Sequence, residues 1–213
     1  MNSKQKRILR VHTHSGVYDD SNENGMVIAD GGAISFVDGS RFYRDVFFNV
    51  SAMKLGVGAP PGAALEGTFP TLDFDDTTEQ EVFIVVHSPH DYATGTDIKM
   101  HIEFFVDTVD AVNEQTVCWA VEYKIIEHGD IFVFTGTGTT YKSHPIPITT
   151  SDKGLMTCDH LTIPYTALSG EGILLMRLYR DAGGALDTDS QTGDARVVHA
   201  HLHYTADKLG EEI

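Results

Sequence analysis

Apolar and polar residues alternate along many short stretches of this chain, and this period of two constrains the fold more than any other sequence feature. In residues 98–104, every second residue is apolar: Ile98, Met100, Ile102 and Phe104. Successive side chains of a β-strand point to opposite faces, so the pattern indicates a strand with one buried face. Residues 116–125 alternate in the same way around Trp119.

Further strands are predicted at about residues 42–56, 79–87, 131–141, 157–163, 172–180 and 194–206. Turn residues separate them, and the loops are too short to hold crossover helices. We therefore predict an all-β fold, an antiparallel jelly-roll sandwich with an extended N-terminal arm. The predicted core includes Ile102, Phe104, Val117, Trp119, Val121, Tyr123, Leu175 and Leu202.

Three segments depart from this alternation. Residues 56–64 contain consecutive prolines and several glycines, which predicts a linker or long loop rather than regular sheet. Residues 181–194 are polar and glycine-rich, which predicts an exposed loop. Residues 1–40 hold five glycines among short apolar pieces. We therefore divide the chain into an N-terminal arm, residues 1–40, and a sandwich, residues 41–213.

The charge of the chain is strongly acidic and unevenly spread. Its 213 residues include 15 Lys and Arg against 31 Asp and Glu, a formal net charge of −16. Because this excess repels phosphate backbones, we expect no nucleic-acid partner. The first ten residues contain no acidic residue and four basic ones: Lys4, Lys6, Arg7 and Arg10. This basic cluster is either a solvated terminus or an arm that docks on an acidic neighbour.

The sequence favours neither a membrane protein nor a protein stabilised by disulfide bonds. No apolar run approaches the ~20 residues that cross a bilayer. The basic start is not followed by an apolar segment, so we expect no secretory signal and no membrane partner. Cys118 and Cys158 lie in different apolar segments without CxxC spacing, so we expect free buried thiols.

Three histidines in one predicted strand, residues 194–206, are candidates for metal chemistry: His199, His201 and His203. Alternation places all three on one face and Val198, Ala200, Leu202 and Tyr204 on the other. Two histidines two residues apart on a strand can share zinc or iron, as in a metal-dependent cupin-type enzyme. The alternative, which we prefer, is a polar or inter-subunit strand face, because no HxD or HxE signature accompanies the three histidines at facial-triad spacing and they form a row rather than a cluster.

Other motifs give no catalytic constellation. Asp187, Asp189 and Asp194 resemble an oxygen-rich calcium loop but lack the ligand spacing of an EF-hand. No GxSxG elbow or P-loop is present, and nothing supports a serine or cysteine nucleophile. The lone Trp119 is either a core residue, which we prefer, or a platform for a sugar. We therefore expect a protein that is not an enzyme and that needs no cofactor.

Short motifs follow one another in order between residues 80 and 210: Val82-Phe83, Pro89-His90-Asp91-Tyr92, Gly95-Thr96-Asp97, His101, Trp119, Glu122-Tyr123, Leu178-Tyr179-Arg180-Asp181, Asp187-Thr188, His203-Tyr204 and Asp207-Lys208-Leu209-Gly210. As a set they resemble a group of tailed-bacteriophage virion proteins. Related β-rich phage proteins decorate or cement the head as jelly-roll trimers. This chain departs from many relatives at Ile102 and Asp189, where those have tryptophan and tyrosine.

The resemblance implies a structural protein of the virion, a capsid decoration or cement protein that stabilises the head. Its location would be the capsid surface, after assembly in the host cytoplasm. Its partners would be the major capsid protein and further copies of itself in a homotrimer. A trimer would also bury apolar residues that we expect on strand faces, such as Phe105 and Ile126.

Two different surfaces follow from the two functions that we consider. For capsid decoration, the contact is expected in the arm, at Lys4, Lys6, Arg7, Ile8, Arg10 and Val11. The alternative function is a carbohydrate- or host-binding module of a head or tail fibre, using the loops around Tyr92 and Asp187. An exposed aromatic side chain beside paired carboxylates would favour that alternative.

Overall fold

A computed structural model describes residues 8–9, 24–28, 34–38, 41–135, 137–148, 152–164 and 172–209. Their strands are β1 (Ile8–Leu9), β2 (Asn24–Ile28), β3 (Ile34–Asp38), β4 (Phe42–Asn49), β5 (Lys54–Leu55), β6 (Gly62–Glu66), β7 (Phe69–Phe74), β8 (Glu81–His87), β9 (Ile98–Val106), β10 (Gln115–Glu127), β11 (Gly138–Ile146), β12 (Met156–Ile163), β13 (Gly172–Arg180), β14 (Ala195–Ala206) and β15 (Lys208–Leu209). Within these residues one short 3-10 turn, Val50–Ala52, is the only helical element. None of the helical structure in this part of the chain is long and apolar enough to cross a membrane.

Two antiparallel sheets form the sandwich. One sheet has the strand order β11-β10-β13-β8-β5. The other has the order β12-β9-β14-β7-β6, with β4 also paired to β14. The strand pairings in both sheets are antiparallel. The predicted all-β antiparallel jelly-roll sandwich is confirmed.

The core joins the inner faces of the two sheets. Trp119 of β10 is fully buried and packs edge-on against Phe74 and Phe104, at ring-centroid distances of 5.2 and 5.4 Å. Because β10 belongs to one sheet and β7 and β9 to the other, these rings connect the layers. All eight predicted core residues are buried. Seven of them belong to the main hydrophobic cluster, whereas Leu175 is buried outside it.

The apolar strand residues that we expected a trimer to cover are already covered within one chain. Phe105 and Ile126 are both buried. The guanidinium carbon of Arg196 lies 5.9 Å from the centroid of the Phe105 ring and helps to cover it. The expectation that these two residues are exposed is therefore wrong. The homotrimer stays a prediction without this support.

The predicted strand at 131–141 begins too early. Residues 131–135 are not in a strand, and β11 starts at Gly138. Ile131 and Phe132 are exposed, so the apolar residues of this stretch do not face the core. At Gly138 the Tyr123 ring lies so close that an added Cβ would stand 2.4 Å from its Cζ. A glycine therefore permits β11 to pair beside Tyr123.

The hairpin of β6 and β7 was not predicted. Residues 56–64 were expected to be loop or linker, but β6 begins at Gly62, inside that range. Gly67 at φ 63° lies in the turn that joins β6 to β7, a backbone conformation that glycine adopts without strain. The consecutive prolines Pro60 and Pro61 indicated a loop, but they lie immediately before β6 and not within it.

The described part of the N-terminal region forms a separate small sheet. Its strand order is β1-β2-β3-β15. The edge strand β15 comes from the other end of the described chain and pairs with β3. Phe36 of β3 packs edge-on against Phe42 of β4, with ring centroids 5.2 Å apart. Of the predicted capsid-contact residues, Ile8 lies in β1. The others lie outside the described residues: Lys4, Lys6, Arg7, Arg10 and Val11. The boundary at residue 40 stays a prediction.

Candidate binding face

The three histidines of β14 share its outer face, as predicted. Their inward neighbours Ala200 and Leu202 are buried in the core. The alternation does not extend to Val198, which we had placed with the inward residues. The register against β9 shifts between Val197 and His199, and Val197 is the buried residue. A bulge of this kind inserts one extra residue and resets which side chains face inward.

Strand pairing surrounds the histidines with a defined set of side chains. β9 pairs with one edge of β14. In this pairing His199 is aligned with Glu103, His201 with His101 and His203 with Lys99. On the other side, β4 aligns Phe47 with His201 and Asp45 with His203. We define the histidine face as the outward residues Tyr43, Asp45, Phe47, His101, Glu103, His199, His201 and His203.

Glu103 lies between two of the histidines. Its Oε2 is 3.2 Å from His199 Nε2 and 3.5 Å from His201 Nδ1. The side chains of Glu103 and His201 are only 12% and 13% exposed, whereas that of His199 is 36% exposed. Within the described residues, Glu103, His199 and His201 form a group with the spacing of a metal site. One carboxylate oxygen and one nitrogen of each histidine all lie within 4.8 Å of one another.

His203 belongs to a different pair. Its Nδ1 lies 2.8 Å from Asp45 Oδ1, at hydrogen-bond distance. The three candidate metal ligands His199, His201 and His203 therefore do not converge on one point. His199 and His201 converge on Glu103, while His203 is turned toward the carboxylate of β4.

Two exposed aromatic side chains stand beside the histidines. Tyr43 is 70% exposed and stacks on His203, with ring centroids 4.6 Å apart and an interplanar angle of 26°. Phe47 is 66% exposed and lies 5.3 Å from the His201 ring. Asp45 sits between Tyr43 and Phe47 on the same strand face. The face thus alternates apolar rings with hydrogen-bonding groups.

The sequence indicated only part of this face. Alternation within 42–49 would have placed Tyr43, Asp45 and Phe47 together, and that within 98–104 places His101 with Glu103. The missing information was that both strands flank β14. Sequence reasoning therefore did not place Glu103 beside the histidines, or Tyr43 and Phe47 next to them.

The loops around Tyr92 and Asp187, which the alternative function would use, direct their named side chains into internal contacts. Tyr92 is buried, and its hydroxyl donates to the carbonyl of Thr96. Asp189 gives both carboxylate oxygens to Arg180, and Asp187 Oδ1 accepts from the backbone of the next residue at 2.8 Å. These carboxylates are directed at different groups, so this loop does not gather them as calcium ligands.

Among known proteins, this chain is similar to solved structures, but it matches none by sequence family. No protein-family model and no curated protein matches the chain. A family 35 carbohydrate-binding module from an environmental isolate is 13% identical, covers 74% of this chain and 91% of its own, and has a TM-score of 0.42. A family 11 carbohydrate-binding module from Clostridium thermocellum is 12% identical, covers 75% and 87%, and has a TM-score of 0.32. We therefore base the function on the residues of the face itself.

Proposed function

We propose that this protein is a carbohydrate-binding module and that the histidine face is its binding site. The supporting observation is the pair of exposed aromatic rings, Tyr43 and Phe47, on one strand with the Asp45 carboxylate between them. Large apolar side chains grouped on an otherwise polar surface mark a binding site more often than chance. Proposed ligands are oligo- or polysaccharides.

The chemistry of the face suits a sugar. A pyranose ring presents an apolar C–H face that can lie on an aromatic ring, and hydroxyls around its edge that donate and accept hydrogen bonds. Tyr43 and Phe47 provide the apolar contact. Asp45, which is exposed on the same strand, provides a carboxylate acceptor, and carboxylates form strong hydrogen bonds with hydroxyl donors.

The same composition is less suited to the centre of a protein interface. Interface cores are depleted in charged residues, whereas two carboxylates and four histidines lie among the two exposed rings here. The net charge of −16 also favours a neutral ligand over an acidic polysaccharide. We therefore expect a neutral glycan, bound along the open sheet face.

Affinity gel electrophoresis with a panel of neutral and acidic soluble polysaccharides tests the proposal. At least one neutral polysaccharide should retard the wild-type protein, and Tyr43→Ala or Phe47→Ala should weaken its binding about fivefold, since stacked rings contribute ~1 kcal/mol. Phe132→Ala is the matched control, because Phe132 is exposed but lies outside the histidine face. No retardation by any polysaccharide, or equal retardation of all variants, would contradict the proposal.

Capsid decoration is the second candidate. It is favoured by three consecutive exposed apolar residues after β10, Ile131, Phe132 and Val133, which suit contact with another protein. On this proposal the chain acts at a virion surface, as a homotrimer bound to a major capsid protein. Co-sedimentation with capsids should then be lost on deleting residues 1–40 and reduced by Phe132→Ala, while Tyr43→Ala leaves it unchanged.

A further inference from the structure

We propose that Glu103, His199 and His201 bind one divalent transition-metal ion, with Zn²⁺ as the representative. The group offers two imidazole nitrogens and one carboxylate oxygen, which are the donor types that zinc and related ions take in proteins. Two of its residues come from β14 and the third from β9, its hydrogen-bonded neighbour. All three residues belong to the histidine face, but the metal site does not depend on the proposed glycan function and is tested by Zn²⁺ binding in the absence of polysaccharide.

The spacing of the donor atoms is close to that of a coordinated ion. For metal–ligand bonds of about 2.0–2.1 Å, two ligands of a tetrahedral ion lie roughly 3.3 Å apart. The Glu103 Oε2 distances to His199 Nε2 and His201 Nδ1 are 3.2 and 3.5 Å. The remaining edge, between the two imidazoles, is within 4.8 Å. His199, the most exposed of the three side chains, can complete the set by turning its ring toward His201.

Two of the three donor atoms are buried and lack hydrogen bonds within the described residues. In the described part of the chain, Glu103 Oε2 and His201 Nδ1 have no partner with hydrogen-bond geometry, despite the short separations. A buried polar atom without a partner costs free energy. A cation at the point on which these lone pairs converge would satisfy both atoms.

The partial exposure of His199 places one side of the group toward solvent. Glu103 and His201 lie on the hydrogen-bonded strands β9 and β14, and both side chains are largely buried. His199 is on the solvent side of the group, so a fourth coordination position would face water. Three protein ligands with one open position is the arrangement of zinc sites that bind exchangeable ligands.

Isothermal titration of the full chain, prepared without an affinity tag and freed of metal with EDTA, tests this site with ZnCl₂. Wild type should bind one Zn²⁺ per chain in a saturable high-affinity step. Glu103→Gln and His199→Gln should weaken this step at least tenfold. His203→Gln is the control, because His203 is on the same face but pairs with Asp45; it should change the Zn²⁺ affinity less than threefold.

The chain has 11 histidines, so Zn²⁺ held elsewhere must be distinguished from this site. X-ray absorption of the one-to-one complex should show two imidazole ligands and oxygen, and Zn²⁺ should raise the melting temperature of wild type but not of Glu103→Gln. Absence of saturable binding, sulfur ligation, or equal Zn²⁺ affinity in wild type and Glu103→Gln would each overturn the proposal. Polysaccharide binding measured in EDTA reports on the glycan site alone.

Discussion

Arg180 and Asp189 form a bidentate ion pair inside the protein. Arg180 Nε donates to Asp189 Oδ2 and Nη2 donates to Oδ1, both at 2.8 Å, and the two side chains are 0% and 2% exposed. Nη1 and Nη2 also donate to the carbonyls of Phe74, Gly193 and Gln191. The arginine at the end of β13 therefore anchors the loop of residues 181–194, which we had predicted to be simply exposed.

Replacing Asp189 by alanine should destabilise the protein by about 3–5 kcal/mol, because it leaves the Arg180 guanidinium buried without its counter-charge. Urea unfolding followed by circular dichroism measures this change. Asp187→Ala in the same loop is the control and should cost less than about 1 kcal/mol, since Asp187 is exposed. Similar losses for both variants would show that the ion pair does not hold the loop.

Trp119→Ala should lower the free energy of unfolding by about 3–5 kcal/mol, because it removes a large ring packed between Phe74 and Phe104. Phe132→Ala removes an exposed aromatic ring and should change stability by less than about 0.5 kcal/mol. Urea unfolding followed by circular dichroism compares the two variants. A neutral Trp119→Ala would mean that the ring is not part of the core.

Both cysteines should be unreactive in the folded protein. Burial raises the pKa of the Cys118 thiol to about 11 and that of Cys158 to about 12. At pH 8 only about one Cys118 thiol in a thousand is then the reactive thiolate. Ellman's reagent should therefore detect two thiols in urea and almost none in native buffer. Rapid labelling of the native protein would contradict the buried, free state of these residues.

His144 should make stability depend on pH. Burial, and secondarily the charge of Lys142, lowers the pKa of His144 below its usual value of 6.5. The unfolded chain then takes up a proton that the folded chain resists, so stability is lost as pH falls below about 6.5, down to the lowered pKa. Urea unfolding between pH 7.5 and 5 should show a smaller loss for His144→Gln than for wild type. Identical pH profiles would exclude this contribution.

The local strand pattern could be predicted because it depends only on neighbouring residues. The alternation of 98–104 correctly separated the core residues of β9 from the outward His101 and Glu103. The same logic was wrong at Val198, where the bulge in β14 changes the inward residue. A bulge depends on pairing with a second strand, so alternation within one strand does not reveal it.

The sequence by itself determined the fold class and the faces of individual strands, including the outward row His199, His201 and His203. Only the tertiary structure decided that β9 and β4 flank β14, bringing Glu103 between two histidines and Tyr43 and Phe47 beside them. The physical reason is that side-chain direction follows the two-residue period of one strand. Strand partners, by contrast, depend on contacts between distant segments, such as Asp45 with His203.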